Sequence, residues 1–149
     1  MDVPEYVESR IKDVALDLCI DPVLLRAILE VESGFDKWAV RFEMDFTYIV
    51  SAQRFARLNK ITHQTEIFCQ KCSWGMGQIM GGTARDFGFH GPLPELLDPD
   101  TNIFWCGMVL KKKVLRWPNL KEHISAYNAG SPSKMNPEYV AKVLKAMKQ

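Results

Sequence analysis

In the stretch LEVESGFD, residues 29 to 36, an apolar run ends in two carboxylates, Glu30 and Glu32, followed at once by Ser33 and Gly34. On a helix beginning near Pro22, Glu32 lies four residues after Ile28, eight after Leu24 and three after Leu29, on their apolar face. Glu30 sits four residues after Arg26, the spacing of a solvated ion pair. Glu32 also falls in the last helical turn, whose partial negative charge disfavours another anion. Apolar surroundings and the helix terminus both penalise the ionised form, and so raise the carboxyl pKa. A carboxyl still protonated near neutrality is a general acid, able to hand a proton to a leaving oxygen. The alternative is that Glu32 points past its helix into water, as most glutamates do.

The other reactive side chains are Cys19, Cys69, Cys72 and Cys106. The pair in CQKC would need two further ligands to hold zinc, or a strand before it and a helix after it to act as a redox pair; neither pattern is visible. The expectation is two small, partly buried apolar side chains with reduced thiols, and no metal.

The elements that must hold Glu32 announce themselves by their caps. Asp2 with Pro4 opens a helix whose Val7, Ile11, Val14 and Leu18 form a stripe of helical period. Asp21 and Pro22 open the helix through VLLRAILEVES, which Gly34 stops. Asp98 and Pro99 start a third, with Ile103, Gly107, Leu110 and Val114 on one face and Pro118 beyond its end. Its run Lys111 to Lys113 reads as a solvated face. LKEHISAYNAG is a further helix ended by Gly130, and Asn136 with Pro137 caps EYVAKVLKAMKQ. Between 41 and 72 the pattern is softer: Tyr48, Ala52 and Phe55 have helical spacing, Thr62 caps a turn through Cys69, and short strands could lie near 39 to 46. The prediction is one mainly α domain over residues 1–149, with at most a small β element.

The chain's 149 residues suffice for one hydrophobic core, and 47% hydrophobic with 25% charged residues is ordinary for a globular protein. Nineteen basic residues against 18 acidic give a formal charge of +1, too little for a nucleic-acid binder. The N-terminal MDVPEYVESRIKDVALDL has acids where an export signal needs bases, and no unbroken apolar run. The expectation is cytoplasmic synthesis without signal peptide or membrane insertion.

Four stretches, in order, resemble the lytic transglycosylases related to goose-type lysozyme. ILEVESGFDKWAV resembles the family's Glu-Ser motif and SWGMGQIM its glycine-x-x-glutamine motif. AYNAG matches its Ala-Tyr-Asn-Ala-Gly motif, and EYVAKVL resembles its C-terminal Tyr-Val helix. TARDFGF and LLDPDTNIFWCGMVL look like connecting segments of the same family, so the likeness runs from about residue 20 to 145. It implies an α-rich lysozyme-like fold with Glu32 as catalytic acid and Ser33 as the neighbour that orients the site. Gln78, with the backbone from Gly75 to Ile79, would line a sugar groove. Tyr127 and Asn128 would face Glu32, the tyrosine hydroxyl within reach of its carboxyl, and Tyr139 would help close the pocket. Read singly, each residue has a plainer explanation: a turn glycine, a surface amide, a core tyrosine. Here residues 41 to 72 are an extra segment compared with the most compact members; of Glu43 and Asp45 in its RFEMDF, Glu43 is the better candidate for a second carboxylate that supports the site, the alternative being an ordinary surface acid.

The implied reaction is cleavage of the β-1,4 bond between N-acetylmuramic acid and N-acetylglucosamine in peptidoglycan. Glu32 would act as acid and then as base toward the substrate's own C6 hydroxyl, giving a 1,6-anhydro product without a cofactor. The rivals are a hydrolytic muramidase whose second acid is Glu43 or Asp36, a non-catalytic sugar-binding or virion component, and a zinc protein built on CQKC. A wall-cutting enzyme without export signal suggests a phage-derived one, acting as a monomer on the cell wall from the periplasm or the virion.

Overall fold

The computed structural model describes residues 3–130 and 134–149. Helix α1 (Glu5–Leu18) follows Pro4, and Asp2, its expected cap, lies outside the described residues. The stripe Val7, Ile11, Val14 and Leu18 is buried, and packs against α2 (Pro22–Ser33) and α6 (Pro99–Arg116). Asp21 caps α2 through its side chain, which accepts from Val23 N, and Asp98 caps α6 in the same way through Thr101 N. Leu24, Leu25, Ala27, Ile28 and Leu29 of α2 are all at most 2% exposed, so α2 runs through the middle of the core. Each such leucine or isoleucine contributes about 2 kcal/mol by leaving water.

Helix α7 (Leu120–Ala129) starts at Asn119 and ends at Gly130. Helix α8 (Pro137–Ala146), capped by Asn136, packs on α2 and α7. Its buried Tyr139, Val140 and Val143 close the far side of α2.

The extra segment supplies β1 (Val40–Phe42), α3 (Ala52–Asn59) and α4 (His63–Gln70), the last capped by Thr62. Tyr48 lies ahead of α3, because the chain there has no regular structure and enters the helix only at Ala52. SWGMGQIM folds into a hairpin, β2 (Cys72–Trp74) and β3 (Ile79–Met80), that leads into α5 (Gly81–Asp86) and a 3-10 turn (Leu93–Leu97). The sheet is antiparallel in the order β1-β2-β3. Arg41 opposes Ser73, and Ser73 opposes Met80, so these three share one face of the sheet. The architecture is mainly α and lysozyme-like with a small sheet, as the sequence predicts.

Candidate active site

Glu32 stands in the last turn of α2, which closes at Gly34 in the left-handed conformation, φ 63°. Its carboxyl lines a cleft of about 460 Å³. The walls come from β1, the β2–β3 hairpin, α5, α6 and the end of α7. From α8, the Tyr139 hydroxyl donates to Glu32 Oε1 at 2.6 Å, and among the described residues no group bonds Oε2. The carboxyl pKa is raised: burial is the largest cause, opposed by the Tyr139 hydrogen bond and by the charge of Arg41. One carboxylate oxygen is therefore anchored, and the other has no hydrogen-bond partner among the described residues, on an acid biased toward its protonated form.

The hydroxyl bonded to Glu32 is that of Tyr139, and the Tyr127 hydroxyl is bonded elsewhere. The Tyr127 hydroxyl donates to Gly77 O at 2.9 Å and lies 3.0 Å from Cys106 Sγ. Its single proton is thus used, and the thiol is the donor in the second contact. Burial pushes the Cys106 thiol up to about 12, so it stays neutral. Gly77 O, an acceptor inside the protein, takes the Tyr127 proton, whereas the packing of α8 on α2 delivers the Tyr139 hydroxyl to the carboxyl.

The turn between β2 and β3 is pinned from three sides. Ser33 Oγ donates to Met76 O at 2.8 Å and accepts from Asp36 N, tying the end of α2 to the turn. The buried Asn102 of α6 accepts from Gly77 N at 2.7 Å and donates to Trp74 O and Leu96 O. Gly75 has φ 65°, and a Cβ there would lie 2.5 Å from Asn102 Nδ2. At Gly77 a Cβ would lie 2.9 Å from Cys106 Sγ and 3.2 Å from the Tyr127 oxygen, so only glycine lets the turn come this close.

Gln78 has φ 48°; its amide donates to Ala39 O and Gly75 O, and its carbonyl accepts from Ser73 Oγ at 2.8 Å. It lines the cleft together with Ile79 and Asn128, but its donors are committed to the sheet. Gly75, Ser33 and Tyr139 stand behind the wall and hold it. Glu43 lines the cleft with its carboxylate paired to Arg41, whereas Asp36 is outside the lining and accepts from Trp38 N at 2.9 Å. Cys69 of α4 and Cys72 of β2 are buried free thiols, and the Cys72 thiol is pushed up to about 11, chiefly by burial.

Arg41 and Lys113, which line the cleft, and Asn102, which pins the turn behind it, carry no sequence expectation of a role. Asn102 was detectable by the reasoning that singles out Glu32, since a polar side chain beside Ile103 and four residues before Cys106 sits on a buried helical face. The Lys111 to Lys113 run is not one solvated face, because consecutive residues turn by about 100° and three of them span over half the helix. Lys113, four residues beyond Val109, faces the cleft with it.

The model of the transglycosylase SLT domain family matches residues 10–146. Neither curated proteins nor solved structures gave a match to the chain. Members of that family are enzymes that cleave the glycan strands of peptidoglycan, which makes peptidoglycan the substrate class implied here. The match takes in the helix that carries Glu32, the pinned hairpin and both tyrosine helices; the chain belongs to the transglycosylase SLT domain family.

Proposed function

We propose that this chain is a peptidoglycan lytic transglycosylase that cuts the β-1,4 bond from N-acetylmuramic acid to N-acetylglucosamine, with Glu32 as acid and then base. The observation that carries this reading is a carboxyl in a sugar-sized cleft, desolvated enough to favour its proton, with one oxygen held by Tyr139. Protonated Oε2 donates to the glycosidic oxygen as the bond to the anomeric carbon breaks and positive character builds on the muramyl ring. The departing N-acetylglucosamine takes that proton as its 4-hydroxyl. The muramyl C6 hydroxyl then closes on the anomeric carbon and gives its proton to the Glu32 carboxylate, which restores the acid. An internal nucleophile is already tethered near its target, so neither water nor a second carboxylate enters the scheme. Tyr139 supports both halves: its hydroxyl stabilises the carboxylate formed after the first transfer.

A second reading, a hydrolytic muramidase, is favoured by one observation, the presence of Glu43 in the same cleft. Against it, the Glu43 carboxylate is engaged by Arg41. Mass spectrometry of digested peptidoglycan separates the two, since 1,6-anhydro ends support the first and reducing ends the second. Glu32→Gln is expected to abolish cleavage of purified wall in either case, and undiminished cleavage by that variant would remove Glu32 from the mechanism. We place the site of action at the bacterial cell wall; among the described residues no helix is long and apolar enough to cross a membrane.

A further inference from the structure

Lys113 is held in an arrangement that the cleavage scheme does not use. It lines the cleft from α6, half-buried, and its ammonium donates to Gly130 O at the end of α7 at 3.2 Å. An ammonium has three donors, so two stay uncommitted by this contact. Among the described residues no carboxylate lies within ion-pair distance of it, and Ser131, Pro132 and Ser133, which follow Gly130 in sequence, bear none. The other cleft cation, Arg41, is paired with Glu43, and the neighbouring Lys112 approaches Asp86. Burial, then the charges of Lys112 and Arg116, lower the Lys113 pKa, which is the signature of a cation lacking its counter-ion. A half-buried charge without a partner is costly, and an anionic group entering the cleft relieves that cost.

We propose that Lys113 is a carboxylate-binding residue of the cleft, which recognises an acidic group carried by the muramyl side chain of peptidoglycan. The proposal rests on the glycan-cleaving reading and deepens it. A neutral sugar polymer offers the ammonium hydroxyl and acetamide oxygens but no counter-charge. A muramyl strand offers the free lactyl carboxylate when stripped of peptide, or the acidic groups of the stem peptide when intact. Lys113 thereby separates muramyl glycan from chitin-like glycan by charge.

The test is binding, measured calorimetrically in a Glu32→Gln background so that no probe is consumed. Three probes are used: peptide-bearing muropeptide strands, the same strands stripped of peptide, and chitohexaose. Adding Lys113→Met is expected to weaken a muramyl probe about tenfold and to leave chitohexaose unchanged. Lys113→Arg should retain most of the affinity. Weakening of the stripped strand alone identifies the lactyl carboxylate, weakening of the peptide-bearing strand alone identifies the acidic groups of the stem peptide, and weakening of both shows that Lys113 takes either carboxylate. If Lys113→Met binds all three as its parent does, or weakens chitohexaose equally, the proposal is overturned while the glycan reading stands. If the parent binds none of the three, the glycan reading falls and this inference with it.

Discussion

Tyr139 reaches Glu32 across 107 positions of sequence, and the 2.6 Å bond between them is the contact on which the acid's behaviour turns. Burial raises the carboxyl pKa and this bond lowers it, so removing the hydroxyl lets the proton stay on to higher pH. Tyr139→Phe should therefore lower kcat about ten- to hundredfold and move the alkaline limb of the pH–rate profile upward. A purely structural tyrosine would change thermal stability and leave that limb where it was. The same burial makes Glu32 a stability liability. Its folded pKa lies above the ordinary carboxyl value of 4.5, so the folded state holds the proton that the unfolded state releases. Stability is then lost as pH rises from about the unfolded value through the folded one. Glu32→Gln, which still accepts from Tyr139, should raise Tm at pH 7.5 by about 1–3 °C and have no such effect at pH 3.5, as calorimetry at the two pH values would reveal.

At the level of elements, the helices owe their positions to signals a reader can find in a linear string. Asp21, Thr62, Asp98, Asn119 and Asn136 all accept from a backbone N–H in the first turn that follows. The hairpin had no comparable signal, because SWGMGQIM has too few alternating residues and is shaped by groups brought from elsewhere. Asn102 is the chief of these, with three hydrogen bonds to the turn and to Leu96 O. Asn102→Ala would strand these buried backbone groups and should cost about 3 kcal/mol in urea unfolding, with cleavage lost in proportion to the disordered turn. Retention of both stability and activity would mean that the hairpin is held by its glycines and Ser33 instead.

For the molecule as a whole, the extra segment from 41 to 72 is anchored by one buried network. Glu66 and Arg85 have fully buried side chains paired at 2.8 Å, and Arg85 also donates to Phe89 O and Gly91 O. Gln70 joins Glu66 to both backbone groups of Val50, locking the loop before α3 onto α4. Since β1 supplies Arg41 and the residue after it is Glu43, both lining the cleft, this network sets one wall of the cleft. Glu66→Gln leaves the Arg85 charge buried without its counter-ion and should cost about 3–5 kcal/mol in chemical unfolding. Glu138→Gln, which breaks the exposed pair with Lys142, should change nothing measurable.

Local chemistry was enough to place α1, α2 and α6 to α8, and to mark Glu32 as a carboxyl on an apolar helical face, because caps and helical period act within a few residues of themselves. Which tyrosine meets that carboxyl, which of three consecutive lysines turns into the cleft, and which residue pins the glycine turn are not written locally. Tyr127 and Tyr139 are equivalent candidates until α8 packs on α2 and Gly77 O claims the other hydroxyl. Contacts of that kind join groups far apart in the chain, and their partners are chosen by packing and by the need of every buried polar group for a mate.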